Sequence, residues 1–187
     1  MKAMKEDKSE LIFAFPSCLH NDVRSVLNLF PQTTGLTYTP HFFEVISCDE
    51  TLYIPERIYY DVPSSKQIDL LSFDQQKVLD TLFTRHHNGF VREEKVKEII
   101  RSANDDIWII PYLIKLVGEY VIEILQAIKE NLHLIDIEKI KVFLSENPKF
   151  YQTIESRVIS YWDCYYRRRY PKKEDYVGFD ILSHFNA

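Results

Sequence analysis

Arg85-His86-His87-Asn88 is the most conspicuous run of side chains able to move a proton or grip an anion. Two adjacent histidines on a helix point about 100° apart, whereas paired imidazole ligands on one helix sit at i and i+4. Adjacent histidines thus make no joint ligand set; functionally Arg85, His86 and His87 read as a binding hot spot or a metal site, and more simply they complement the dipole at a helix C-terminus. The remaining histidines (His20, His41, His133, His184) stand away from Cys, Asp and Glu at ligand spacing. Glu119 and Glu123 lie at i and i+4. On one helix they would share a face, where two carboxylates can hold a cation or do acid–base work; a solvated face is the simpler expectation. Cys164, inside Trp162-Asp163-Cys164-Tyr165-Tyr166, would need an adjacent base to act as a nucleophile. In mid-helix it reads as a buried structural thiol. No GxxxxGK[ST], GxGxxG or HExxH motif occurs. The chain is thus expected to be non-enzymatic, with no catalytic, cofactor-binding or metal-ligating residues.

Tyr161 to Tyr170 interleaves aromatics with Arg167, Arg168 and Arg169. Such a stretch can stack bases and hold phosphates. It can equally make a protein hot spot, where Trp, Tyr and Arg dominate, or be a last helix with a packed aromatic side and a basic final turn. The candidate partner-contacting residues are Arg85, His86, His87, Arg92, Glu119, Glu123, Tyr166, Arg167 and Arg168.

Bulk properties narrow the partners. The net charge of -5 and pI of about 5.7 favour neither nucleic acid nor an anionic membrane, and would attract a basic protein. Hydrophobic residues at 45% with 12 Tyr and 12 Phe supply a core within a length that suits one domain, or one domain and a small appendage. The 4 glycines fit helices better than a phosphate-cradling loop fold. Cys18, Cys48 and Cys164 are odd in number and widely spaced, which is neither a disulfide framework nor a zinc site. The apolar run 11–15 is too short for a signal peptide, and no run reaches the roughly 18 residues of a membrane span. A soluble cytoplasmic protein without membrane contact is the expectation.

These side chains need elements to position them. Leu11 to Phe15 reads as a short strand ended by Pro16. Asn21 or Asp22 can cap a helix carrying Val23, Val26, Leu27 and Phe30, followed by a loop at Thr33, Thr34 and Gly35. Residues 43–47 and 51–54 read as a β-hairpin around Cys48-Asp49-Glu50. Pro63-Ser64-Ser65 is a linker, dividing a small N-terminal α/β cap (1–64) from a helical domain (65–187). There, Ser72 and Gln75 form a capping box. Val78, Leu79, Leu82 and Phe83 make one stripe, and Asn88-Gly89 is expected to end that helix in the left-handed conformation. The next helix, about 90–102, buries Val91, Val96, Ile99 and Ile100 and turns Arg92 outward. Pro111 starts a further helix, Gly118 offers a break, and Val121, Ile124, Leu125 and Ile128 follow. Asp136 to Leu144 and Pro148 to about Tyr170 form a last pair, with an irregular tail whose Phe179, Ile181, Leu182 and Phe185 dock back.

Val91 and Val121 hold equivalent places about 30 residues apart, and a repeated helix pair must stack on neighbours to bury its apolar face. His87-Asn88-Gly89-Phe90-Val91-Arg92-Glu93 resembles the turn and second-helix start of a HEAT repeat, and Pro111 to Leu116 resembles that family's first helix. The likeness covers about 72–145. Ile122 stands where the first unit has Arg92, and Lys95 replaces a small residue. Ile54-Pro55-Glu56-Arg57-Ile58-Tyr59 ahead of Thr84 to Gly89 is similar to a group of small bacterial proteins. The HEAT resemblance implies a mainly α stack of antiparallel helix pairs beside the hairpin, and a protein-binding scaffold. Charge and the lack of a catalytic constellation suggest one concrete role, an immunity protein that neutralises a basic bacterial toxin. A scaffold or adaptor for another partner is the alternative, and a nucleic-acid binder or enzyme using the Arg, His and Tyr clusters the third.

Overall fold

The computed structural model describes residues 8–31 and 37–186; the loop expected at Thr33, Thr34 and Gly35 lies outside them. The chain is mainly helical with one two-stranded sheet. The first apolar run folds as a 3-10 helix, Lys8–Ala14, and not as a strand. A five-residue apolar run does not by itself distinguish the two. Here Leu11, Ala14 and Phe15 point inward at helical spacing while Phe13 faces out. Helix α1 (His20–Leu27) buries Val23, Val26 and Leu27, as expected, although the flanking Leu19 and not Asn21 or Asp22 occupies its cap.

Strands β1 (Phe42–Ser47) and β2 (Glu50–Pro55) pair antiparallel from Phe42↔Pro55 to Ser47↔Glu50. Cys48 and Asp49 between them carry φ of 55° and 60°, the twist-matched two-residue turn that closes tight hairpins. Period-2 alternation turns Val45, Ser47, Leu52 and Ile54 inward. The outer edge of β1 is covered by a side chain. Asn147 accepts from the Ile46 amide at 2.7 Å and donates to the Ile46 carbonyl at 2.9 Å, so one carboxamide substitutes for a neighbouring strand at an edge that would otherwise pair freely.

The helices then follow as α2 (Ser65–Ile68), α3 (Phe73–Phe83), α4 (Gly89–Ile99), α5 (Ile110–Val117), α6 (Ile122–Glu130), α7 (Ile137–Glu146), α8 (Pro148–Tyr161) and α9 (Val177–Asn186). Helix α3 begins with the expected box, Ser72 and Gln75 each satisfying the other's backbone amide. Consecutive helices pair, α3 on α4, α5 on α6 and α7 on α8, while α4 packs on α6 and α6 on α9. Gly118 ends α5 against Ile154 and the Arg157 stem of α8, a Cβ there lying 3.1 Å from Ile154 Cδ1.

Two further elements differ from the sequence reading. Asn88-Gly89 starts α4 and does not end α3. Asn88 is extended (φ -79°, ψ 124°) and its side-chain oxygen accepts from the Phe90 amide at 3.0 Å, and Gly89 has no positive φ. Asn is as good an N-cap as it is a C-terminal stop; the smallness of Gly89 is used instead for close approach, since a Cβ would lie 3.3 Å from Val121. The tail is helical, α9, and its Ile181, Leu182 and Phe185 are buried on the bundle as expected. The core is one continuous cluster running from Leu11 to Phe185. N-terminal Phe15 stacks on Tyr112 of α5, whose hydroxyl donates to the Ala14 carbonyl at 2.6 Å.

Candidate functional site

The first half of the polar run between α3 and α4, Arg85 and His86, is inside the protein, and His87 and Asn88 are exposed. After Thr84 the chain turns and bridges to Ile58: the Ile58 amide donates to the Arg85 carbonyl at 2.9 Å, and the His87 amide to the Ile58 carbonyl at 3.0 Å. Arg85, His86 and Arg92 are thereby buried. The outward placement expected for Arg92, and a surface or capping role for Arg85 and His86, are corrected on this ground. A guanidinium with no solvent needs carbonyls and carboxylates, and the ladder supplies them. Arg85 donates to the carbonyls of Pro55, Thr84 and Glu56, and Arg92 to those of His86 and His87 at 2.7 and 2.9 Å.

His86 uses both ring nitrogens: Nε2 lies 3.0 Å from the Tyr60 carbonyl and Nδ1 accepts from the Asn88 amide at 3.1 Å. That set fits the neutral ring with its proton on Nε2. Burial, then the neighbouring His87, pushes its pKa below the usual value. His86 is therefore a structural group. His87 is exposed and lies against the Tyr59 ring at 5.5 Å and the His86 ring at 4.3 Å. The two imidazoles do come together, because the α3–α4 link is a turn and a bend around an isolated bridge at His86 and not a continuous helix. Among the described residues no group of three or more His, Cys, Asp and Glu is placed to hold a metal ion.

Glu119 joins this centre. It lies in the turn after α5, 2% exposed, with Arg57 Nη2 at 2.7 Å, Arg92 Nη2 at 3.4 Å and Arg85 Nη2 at 3.5 Å. Glu123 is on α6 and exposed. The break at Gly118 puts the two carboxylates on different elements, so the expected shared, solvated face does not form. A second carboxylate, Glu56 at the end of β2, takes Lys115 Nζ at 2.6 Å and Arg157 Nη2 at 3.0 Å. Burial raises the Glu56 carboxyl, but Lys115, Arg157 and Arg85 outweigh it and hold it at about 2. Lys115 is 2% exposed, its ammonium 4.4 Å from the Phe43 ring centre. Burial first, then Arg85 and Arg157, bring it down to about 7 against the pull of Glu56. Arg85 is lowered to about 10 by burial, partly opposed by Glu119.

Glu56, Arg57, Lys115 and Arg157 escaped the sequence reading. Lys115 did carry a signal: it is the one charge in the otherwise apolar or aromatic run 107–118. Arg157 carried none, since an arginine among polar helix residues reads as surface.

The other candidates gather at the end of α8. A π-helical turn, Trp162–Tyr166, follows Tyr161 where an uninterrupted helix to about Tyr170 was expected. The Arg167 amide reaches back five residues to the Trp162 carbonyl at 2.8 Å, and Trp162 Nε1 is drawn to the Tyr170 carbonyl at 2.9 Å. Tyr166 is half-buried, stacked on Tyr176 at 5.2 Å and donating to the Tyr120 carbonyl at 2.6 Å. Arg167 and Arg168 are exposed; Arg167 pairs with Asp163 at 2.8 Å and lies over Trp162. Cys164, expected buried, is exposed; it stands two residues from the buried Trp162 and so faces away from the inward stripe of Ile154, Val158 and Trp162. Asp163, Cys164, Tyr165, Arg167 and Arg168 line an open depression of about 720 Å³. Beside it Tyr120, Tyr161 and Tyr165 form a ring cluster with centroids 5.9, 6.3 and 6.1 Å apart.

No helix among the described residues is long and apolar enough to cross a membrane. No protein-family profile, curated protein or solved structure matches this chain.

Proposed function

We propose that the protein is a non-catalytic protein-binding domain whose partner docks on Tyr120, Tyr161, Tyr165, Arg167 and Arg168. The observation that carries this is the three-tyrosine cluster, with Tyr165 66% and Tyr120 48% exposed, set beside two exposed arginines. Tyrosine and arginine are the side chains that supply binding hot spots, giving large contact area and directed hydrogen bonds. A π-helical turn, a feature frequent at functional sites, positions them. The local basic charge favours an acidic partner segment. The pairing of α3 with α4 and α5 with α6 is compatible with a HEAT-like scaffold.

A second reading is supported by the exposed carboxylates of α4 and α6. Glu94 and Glu98 on α4 and Glu123 and Glu130 on α6 are exposed. Glu93 on α4 and Glu130 on α6 both act on Lys97, raising its pKa through the Glu93 hydrogen bond first. These carboxylates, with the net charge of -5, suit a basic partner, and an immunity protein that neutralises a basic toxin in the cytoplasm is the concrete form of that reading. Co-purification with the product of the adjacent gene tests both readings. Tyr165→Ala with Arg168→Glu is expected to weaken capture about tenfold or more while leaving the unfolding midpoint unchanged. Loss instead on Glu94→Lys with Glu98→Lys, together with rescue of that product's toxicity, selects the immunity reading. Capture indifferent to both pairs, or no capture, sinks both.

A further inference from the structure

The 3-10 helix Lys8–Ala14 packs on β2. Residues three apart eclipse in a 3-10 helix, so Glu10 and Phe13 stand one above the other, and both are exposed while Leu11 and Ala14 are buried. The hairpin presents a second pair. Val45 and Leu52 point inward, so alternation puts Phe42 and Tyr53 on the other face of the sheet. Tyr53 pairs with Glu44, which makes Phe42 its diagonal neighbour on that face. Glu10, Phe13, Phe42 and Tyr53 together line one open cavity of about 410 Å³.

This cavity offers a ligand three aromatic rings and one carboxylate. Phe13 is 55% and Tyr53 42% exposed. Among the described residues none of the three rings is in contact with another. Phe13 instead meets the His20 imidazole edge-on at 6.3 Å, and Phe42 meets Tyr38 at 5.6 Å, so the space between the three is not filled by stacking. Glu10 accepts from the Tyr38 hydroxyl at 2.8 Å, which fixes the carboxylate without neutralising it. Glu10 has no ion pair among the described residues, and Lys8 directs its ammonium to the Phe30 carbonyl at 2.6 Å. Neither lysine nor arginine lines the cavity. Aromatic faces attract cations, and a carboxylate beside them adds charge. A primary ammonium brings three N–H donors that each need an acceptor, and here only the Glu10 carboxylate supplies one. A fully methylated ammonium has no donors left to satisfy, so rings plus a single carboxylate suit it.

We propose that Glu10, Phe13, Phe42 and Tyr53 bind a quaternary ammonium group. The site shares no residue with the Tyr165–Arg168 surface and does not depend on the docking reading. NMR titration of the full chain with choline chloride and, separately, with a blocked trimethyllysine tests it, sodium chloride being used to match ionic strength. Saturable binding is expected in at least one arm. The uncharged isostere of choline, with a tert-butyl group in place of trimethylammonium, is expected to bind about fivefold or more weakly. Phe13→Ala, Tyr53→Ala and Glu10→Gln are each expected to weaken binding about fivefold, Tyr53→Phe less, and the distant Tyr165→Ala not at all. Tighter choline binding assigns a free small cation; equal or tighter trimethyllysine binding assigns a methylated side chain of a partner. Absence of saturable binding in both arms overturns the proposal, as does an isostere that binds as tightly as choline. So does an affinity unchanged in Phe13→Ala and Tyr53→Ala, or in whichever of the two folds.

Discussion

Glu119 is held by three arginines, two of them without solvent. A carboxylate so placed matters less for the net attraction of its pairs than for what its removal leaves behind. Buried guanidinium groups stranded without a counter-charge cost about 3–5 kcal/mol. Glu119→Gln keeps the shape and removes the charge, so it is expected to lower unfolding free energy by about that amount in a urea titration. Lys115 and Glu56 give the protein a pH signature. Lys115 titrates near 7 in the folded chain against 10.5 for the free side chain. Between those values the unfolded chain holds a proton that the folded chain has shed, so this group makes stability rise with pH from about 7 to about 10.5. Glu56 is held at about 2 against 4.5; its contribution is present above 4.5 and lost as pH falls towards 2. Urea midpoints across pH are expected to rise on the alkaline side in the wild type, and to lose that rise in Lys115→Met. An unchanged alkaline slope in the variant assigns the effect elsewhere.

At the scale of elements, the joints are set by side-chain size. Gly178, at the start of α9, lies where a Cβ would come within 2.8 Å of both the Tyr176 ring and Val158 Cγ1 of α8. Tyr176 is itself buried and stacked on Tyr166, so neither neighbour can yield cheaply. Gly178→Ala is expected to destabilise by about 1–3 kcal/mol, measured by urea unfolding. Stabilisation, as a gain in helix propensity would give, contradicts this packing. The same joint carries the π-helical turn, so strain there is expected to reach the Tyr165 and Arg168 surface. Asn147 is a joint of another kind, serving as cap residue of α8 and as edge partner of β1.

Over the whole molecule charge is unevenly placed. The α4 and α6 surface mixes exposed glutamates with Lys97 and Lys129, arginines stand at the end of α8, and a cation-rich centre lies in the interior. A net charge of -5 averages over these three regions and describes none of them. That is why the composition pointed to a basic partner while the aromatic surface favours an acidic one. The apolar cluster runs unbroken across residue 64. The joint between hairpin and helices is therefore packed, and it holds the ion centre: Glu56 and Arg57 come from one side, Lys115, Glu119 and Arg157 from the other.

Local signals were legible where the decisive contacts are local. The Ser72 capping box, the hairpin around Cys48 and Asp49, Pro111 in a first helical turn and the stripes of α3 and α6 each depend on residues a few positions apart, so spacing determined them. Arg85, His86 and Arg92 were legible as unusual but were read as surface, because nothing local shows that residues 57–60 lie along the α3–α4 link. Cys164 was read as buried because a free thiol in mid-helix is usually buried, although its position two residues from Trp162 puts it on the opposite side of the helix. What the sequence by itself determined was a helical protein with a hairpin and a list of chemically capable side chains. Only the tertiary structure decided which of those side chains face water. Burying a guanidinium requires carbonyls and carboxylates to converge from distant segments, and that convergence exists only once the chain has closed.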